Sequence, residues 1–317
     1  MNNANLTTEQ RIQKAISQSK QERNIMPSNS LRIGVWGPTA AGKTTYIVTV
    51  WGACLTPNAR WFANPDDEST SDFVIDKLSA LREGIFPEAN KPQPKPNLYS
   101  YHFAPRQKNL STPPSQSLNI KNPLDSFITW VSANDVETPV KHEAQNLGLK
   151  VSFTDAAGES YLKESLDTEL WDNIWDCDGI VCLLDPAEAL DHFKITLKLV
   201  QNLRLKAKST PGRLIGNYLP QFVAVCYSKI DRPEYIGFKD KPEELNIALA
   251  NKTGIDLYAI LGANFMPERI KFFSVSAIGV DENGKSLVID REIKTPQKIR
   301  PINVISPLRW LFESLSS

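Results

Sequence analysis

Residues 37–44 read Gly-Pro-Thr-Ala-Ala-Gly-Lys-Thr, a complete Gly-x-x-x-x-Gly-Lys-Thr phosphate loop. Leu31-Arg32-Ile33-Gly34-Val35-Trp36 precedes it and reads as a short buried strand. The stretch from Lys43 to about Leu55 follows it and reads as an apolar helix. Strand, glycine-rich turn and helix together form the context in which this motif carries meaning. Gly37 and Gly42 permit backbone angles that side chains resist. The amides of Pro38-Thr39-Ala40-Ala41 and their neighbours, excepting the proline, then wrap a polyphosphate with the positive end of the helix. Lys43 supplies a point charge for the β- and γ-phosphates, the Thr44 hydroxyl suits Mg²⁺, and Thr45 is expected to join the loop in binding the nucleotide. The motif therefore implies binding of a nucleoside triphosphate.

The rest of the 317 residues narrows the class. Hydrophobic content of 41% is ordinary for a globular chain, and the formal net charge is zero. A balanced charge argues against a nucleic-acid or anionic-membrane surface as the main partner. No apolar run approaches the roughly 20 residues of a membrane span. The polar stretch Met1–Ser28 lacks the apolar core of a leader, so a cytoplasmic protein is expected. Cys54, Cys177, Cys182 and Cys226 are far apart and form no Cys-x-x-Cys pair. Cys54, Cys182 and Cys226 sit in apolar segments and read as buried thiols. His102, His142 and His192 form no ligand cluster.

An alternation of elements predicts an α/β fold with a mostly parallel sheet covered on both faces. Strands are expected at Leu98–Phe103, Leu147–Thr154, Gly179–Leu184, Gln221–Tyr227 and Ile270–Val275. Helices are expected at Phe73–Leu81, Ser160–Asp176, Pro186–Lys206, Pro242–Leu261 and Pro307–Leu315. Phe73, Lys77 and Leu81 are expected on one face of the first of these. Asp281-Glu282-Asn283-Gly284-Lys285 carries a hairpin-turn signal. Residues 1–30 read as a polar arm, and 31–278 as the nucleotide-binding domain with a long insertion at about 57–146. Residues 279–317 read as a hairpin and helix packed on that domain. Phe127–Val131 is ambiguous between strand and helix, and 105–122 reads as an exposed polar loop.

Three further segments lie at predicted strand ends. Asp155-Ala156-Ala157-Gly158-Glu159 follows the strand ending at Thr154. An acid there can hold Mg²⁺ through water, and Gly158 lets a backbone N–H approach the γ-phosphate. Ser228-Lys229-Ile230-Asp231 follows the strand ending at Tyr227. A carboxylate there can accept from the two adjacent donors of guanine, a pair that adenine lacks. Ser276-Ala277 follows the next strand, where a backbone N–H can meet the guanine 6-oxo group.

In this order the four segments resemble the G-boxes of Ras-like (translation-factor-class) P-loop GTPases. Asp-Ala-Ala-Gly-Glu is similar to the Asp-Pro-Ala-Gly-Glu form of bacterial double-GTPase families, predicted components of conflict or stress-response systems. The resemblance covers about residues 31–55 and 147–277. It implies GTP and GDP as ligands, Mg²⁺ as cofactor held by Thr44 and Asp155, and a protein partner as effector or activator. Lys43 and Glu159 become the expected catalytic residues, with Glu159 placing water. Lys229 would pack along the base, and Asp231 would select guanine. Two departures stand out. Ser228 takes the place usually held by Asn or Thr. No threonine lies between Thr70 and Thr112, so the threonine that closes over Mg²⁺ in Ras-like switches is either missing or replaced by Thr112 or Thr138.

Other readings remain open. Ile180–Asp185 resembles the apolar strand and acid of P-loop ATPases, but Pro186 stands where a second acid usually follows, so Asp185 reads as structural. A nucleotide kinase would need an arginine-rich lid, and Arg60, Arg82 and Arg106 are scattered. A non-hydrolysing scaffold is the remaining alternative, using residues 57–146 to recruit a partner. An ionised Glu159 can only accept hydrogen bonds, and its charge opposes that of the γ-phosphate.

Overall fold

The computed structural model describes residues 30–55, 59–87, 98–105, 148–154, 173–210, 212–290 and 292–316. Among them, seven strands form one sheet in the order β2-β3-β4-β1-β5-β6-β7. These are β1 (Ser30–Trp36), β2 (Trp61–Pro65), β3 (Leu98–Pro105), β4 (Gly148–Thr154), β5 (Gly179–Leu184), β6 (Phe222–Tyr227) and β7 (Ile270–Ser274). From β4 through β7 every neighbouring pair is parallel, while β3 runs antiparallel to both β2 and β4. The chain is thus a mixed α/β protein with a P-loop fold.

Strands β5 and β6 read as nearly continuous apolar runs because both faces of the sheet are covered there. In β5, Val181 and Leu183 enter one core, and Ile180, Cys182 and Leu184 enter the other. The first core holds α1 (Lys43–Cys54), α2 (Glu68–Arg82) and α6 (Ser306–Leu315). The second holds α3 (Ala189–Ser209), α4 (Pro242–Thr253) and α5 (Leu257–Gly262). In α1 every residue from Tyr46 to Cys54 is buried. A helix that is apolar on all sides needs cover on all sides, and α1 obtains it from the sheet, α2 and β2. By contrast α3 buries one stripe, His192, Phe193, Thr196, Leu199, Val200, Leu203 and Ala207.

Several sequence expectations need correction. The strand β2 was not anticipated. It is short, ends in Asn64-Pro65 and occupies the sheet edge, where a proline is tolerated. Trp61 anchors it, stacked on Phe103 at 4.6 Å between ring centroids and edge-on to Phe312 at 5.3 Å. The expected single helix 242–261 is two helices. Gly254 adopts φ 72° and donates to Ala250 O, closing α4, and Asp256 caps α5 by accepting from Ala259 N. Residues 186–188 form a 3₁₀ turn ahead of α3. The buried stripe of α2 is Thr70, Val74, Leu78 and Leu81, with Phe73 half-buried against Tyr99 and Lys77 at the rim. All four cysteines are free and buried, Cys177 included. The hairpin turn forms as read, with Asp281 N donating to Lys285 O and Gly284 N to Asp281 O. The expected arm 1–30 up to residue 29, the expected helix Ser160–Asp176 up to residue 172, the segment 127–131 and the expected loop 105–122 from residue 106 onward fall outside the described residues.

On the second face of the β2-β3-β4 edge, Asp66 accepts from Ser100 Oγ at 2.6 Å and Lys150 Nζ at 3.1 Å, and pairs with His102 Nδ1 at 2.5 Å. Burial works against its charge, but these hydrogen bonds prevail and hold the carboxyl well below its ordinary range. No helix among the described residues is long and apolar enough to cross a membrane.

Candidate nucleotide-binding site

The parallel register brings the carboxyl ends of β1, β4, β5, β6 and β7 to one edge. Val35 pairs with Phe153, Trp36 with Cys182, Leu184 with Tyr227, and Tyr227 with Ser274. The chain leaves β1 for the β4 side and returns across it to β5. The phosphate loop therefore sits at the switch point, where open α/β sheets bind ligands.

The loop spans Gly37–Gly42 between β1 and α1. A Cβ on Gly37 would meet Leu183 O at 2.6 Å, so this glycine is required by close approach to β5. Gly42 is required by its backbone, φ 85°, and Ala40 is also left-handed at φ 60°. Gly42 is the N-cap of α1, with no side-chain cap and no acid in the first turn. A helix that starts without a side-chain cap or a first-turn acid suits an anion at its positive end. Thr39 and Ala40 are exposed, Pro38, Ala41 and Lys43 buried, and Thr44 and Thr45 half-buried. Lys43 folds over the loop, donating from Nζ to Gly37 O at 2.6 Å and Pro38 O at 3.0 Å.

The β6 end builds the second part. Lys229 holds φ 55°, an uncommon conformation for a side chain of its size. Its Nζ donates to Ala40 O at 2.6 Å and to Asp185 Oδ2 at 2.9 Å. Arg232 donates to both oxygens of Asp185, at 3.0 and 3.1 Å. Asp185 is only 2% exposed and also accepts from Ala187 N. Its carboxylate is therefore spent on neutralising two cations and capping a turn, a structural role. Through Lys229 it ties the β6 turn to the phosphate loop. Arg232 was not singled out from the sequence. Its only local signal was a cation immediately after Asp231.

Asp231 is 5% exposed and accepts from Ser276 Oγ through Oδ1 and from Ser286 Oγ through Oδ2, the latter at 3.1 Å. The Ser228 hydroxyl turns back to Leu184 O at 3.2 Å, so it braces β5 against the turn. Ser276 lies at the β7 end beside Ala277, and its N–H donates to Ile302 O. Phosphate loop, Lys229, Asp231, Ser276 and Ala277 thus line one edge of the sheet. Asp155, Gly158 and Glu159 lie outside the described residues, as do Arg106, Thr112 and Thr138; β4 ends at Thr154, one residue before Asp155. The described residues contain no cluster of His, Cys, Asp and Glu able to hold a metal by themselves.

Beneath Asp185, the buried His192 accepts from Asp185 N–H through Nδ1 at 2.9 Å. Burial pushes its pKa from 6.5 down to about 4; Asp185 and Asp191 oppose that shift, and Lys229 and Lys43 add to it. The neutral ring belongs to the fold, so the contribution is complete above the unfolded value and is lost as pH falls through the folded one. From about pH 7 to about pH 5 this group is expected to remove about 2 kcal/mol of stability, at about 1.36 kcal/mol per unit of differential titration. Urea denaturation at the two pH values checks it. His192→Asn keeps an acceptor without the titration and should lose about 2 kcal/mol less than the parent across that interval.

No family model matches the sequence, and no curated protein matches it. Among solved structures, the fold is similar to the "Signal recognition particle receptor SRb-GTP/SRX complex" of Chaetomium thermophilum. Identity is 11%, the TM-score is 0.38, and the match covers 80% of this chain and 94% of that one.

Proposed function

We propose that this chain binds GTP with Mg²⁺ and hydrolyses it slowly to GDP and phosphate, as a regulatory switch read by a protein partner. The observation that carries this reading is the meeting of two unlike sites at one sheet edge. The phosphate loop and the Lys229–Asp231 turn lie close enough for Lys229 Nζ to donate to Ala40 O. A ligand spanning both would have phosphates at one end and a base with two adjacent donors at the other.

In this reading the Lys43 amine leaves Gly37 O and Pro38 O for the β- and γ-phosphates, and the amides of the loop hold the remaining oxygens. Thr44 and Asp155 offer one hydroxyl and one carboxylate, hard oxygen donors suited to Mg²⁺. When bound, Mg²⁺ would neutralise charge on the phosphate oxygens. The Gly158 N–H would meet the γ-phosphate, and Glu159 would orient the attacking water. Residues 57–146 are the proposed partner-binding segment, and a cytoplasmic setting suits such a switch.

The engagement of Asp185 by Lys229 and Arg232 weighs against the ATPase reading, which would need that acid for the metal. Placing water lowers part of the barrier, while charge neutralisation in the transition state needs a further cation. Intrinsic turnover near the roughly 10⁻⁴ s⁻¹ of unassisted Ras-like enzymes is therefore expected. Single-turnover phosphate release tests the catalytic part. Glu159→Ala should slow it while leaving GTP affinity nearly intact. Equal rates would remove Glu159 from the mechanism, and absence of release from both proteins would favour the non-hydrolysing scaffold.

A further inference from the structure

We infer that Ser286, in the C-terminal hairpin, is a specificity-determining residue of the base site, an inference that rests on the guanine reading of Asp231. A carboxylate on a turn can rotate about its last bond. Here it is clamped from two directions. Ser276 Oγ accepts from Ile278 N at 3.2 Å and Gly279 N at 2.8 Å, which leaves its proton for Asp231 Oδ1. Ser286 Oγ accepts from Val288 N at 3.2 Å, which leaves its proton for Oδ2 at 3.1 Å. Both hydroxyls therefore donate, and Asp231 accepts at each oxygen.

Each carboxylate oxygen has room for two donors. With one place on each taken by a serine, one place on each is left, and both are acceptor-only. That pair fits a base edge with two adjacent N–H donors and opposes one that carries an acceptor. Ser286 is held for this task by the hairpin itself. It bridges to Val280 across the turn, where Asp281 Oδ1 accepts from Asn283 N and Lys285 N, both at 2.8 Å. The hairpin is anchored in turn by Gly279, paired with Arg300 so closely that a Cβ there would overlap Arg300 O. The base-reading carboxylate is thus aligned partly by a segment some 55 residues away in sequence.

Loss of one clamp should harm a two-point contact more than a one-point contact. The test titrates the full chain with the Mg²⁺ complexes of GDP and of inosine diphosphate, which lacks the 2-amino donor. The unsubstituted chain should prefer GDP strongly. Ser286→Ala should narrow that preference about tenfold, chiefly by weakening GDP, and Ser286→Thr should restore it. Ser286→Cys keeps the volume with a weaker donor and should shift the ratio the same way if the alanine variant does not fold. An unchanged ratio, or equal weakening of both nucleotides, would overturn the inference and leave Ser286 as a brace of the hairpin. If the unsubstituted chain itself shows no preference for GDP over the inosine and adenosine diphosphates, the guanine reading fails first.

Discussion

Asp231→Asn is expected to exchange guanine for xanthine as the preferred base. The carboxylate accepts from Ser276 and Ser286 and is almost wholly buried, so its free acceptor positions are few and directed. An asparagine places a donor where one acceptor stood. Xanthine carries an oxo group where guanine has its 2-amino group, and so complements the amide. A site built to hydrogen-bond a group rejects analogues lacking it by about 10⁴-fold in the best cases. The same change leaves one serine hydroxyl facing an amide donor, so some loss of stability accompanies it. Competition between guanosine and xanthosine diphosphates, measured on both proteins, checks the inversion. A uniform loss of affinity for both bases would show that Asp231 supports the turn without reading the base.

Lys43→Ala is expected to weaken triphosphate binding by about 1.5–3 kcal/mol, between about tenfold and a hundredfold. Without a ligand, the Lys43 amine satisfies two loop carbonyls, Gly37 O and Pro38 O. Those carbonyls are weaker partners than phosphate oxygens, because hydrogen bonds between two charged groups are the stronger kind. The substitution therefore removes more from the complex than from the free protein. Calorimetric titration with a non-hydrolysable GTP analogue, alongside thermal unfolding of the free variant, separates the two. Affinity within a factor of about two of the parent would mean that the loop amides alone carry the phosphates.

The parts of the site that were legible in the sequence are those encoded locally. The phosphate loop reads from eight consecutive residues, and each later segment follows an apolar strand. Parallel strands all deliver their carboxyl ends to one edge, so reading the strands correctly also places the segments together. What escaped the sequence depends on tertiary partners. Arg232 matters because Asp185 lies buried beside it, and Ser286 because a hairpin brings it to Asp231. Strand β2 escaped because five residues ending in proline carry almost no periodic signal, and Trp61 finds its partners Phe103 and Phe312 only in the fold. The break at Gly254 escaped because apolar spacing continues through it, while its left-handed backbone ends the helix. Lys229 was expected to lie along the base. The structure adds the link from its amine to Ala40 O and Asp185, which ties the Lys229–Asp231 turn to the loop at Gly37–Gly42.

If the linked loops hold the two ends of one guanine nucleotide, a direct comparison of nucleotides shows it. The purified chain is titrated side by side with Mg²⁺–GDP and Mg²⁺–ADP at one ionic strength, with heat as the readout. The two ligands share their phosphates and differ only in the base. Saturable one-to-one binding of GDP is expected, with ADP weaker by about 10³-fold or more. Comparable affinity for the two would contradict base reading by Asp231, and absence of binding to either would contradict the phosphate loop as a working site.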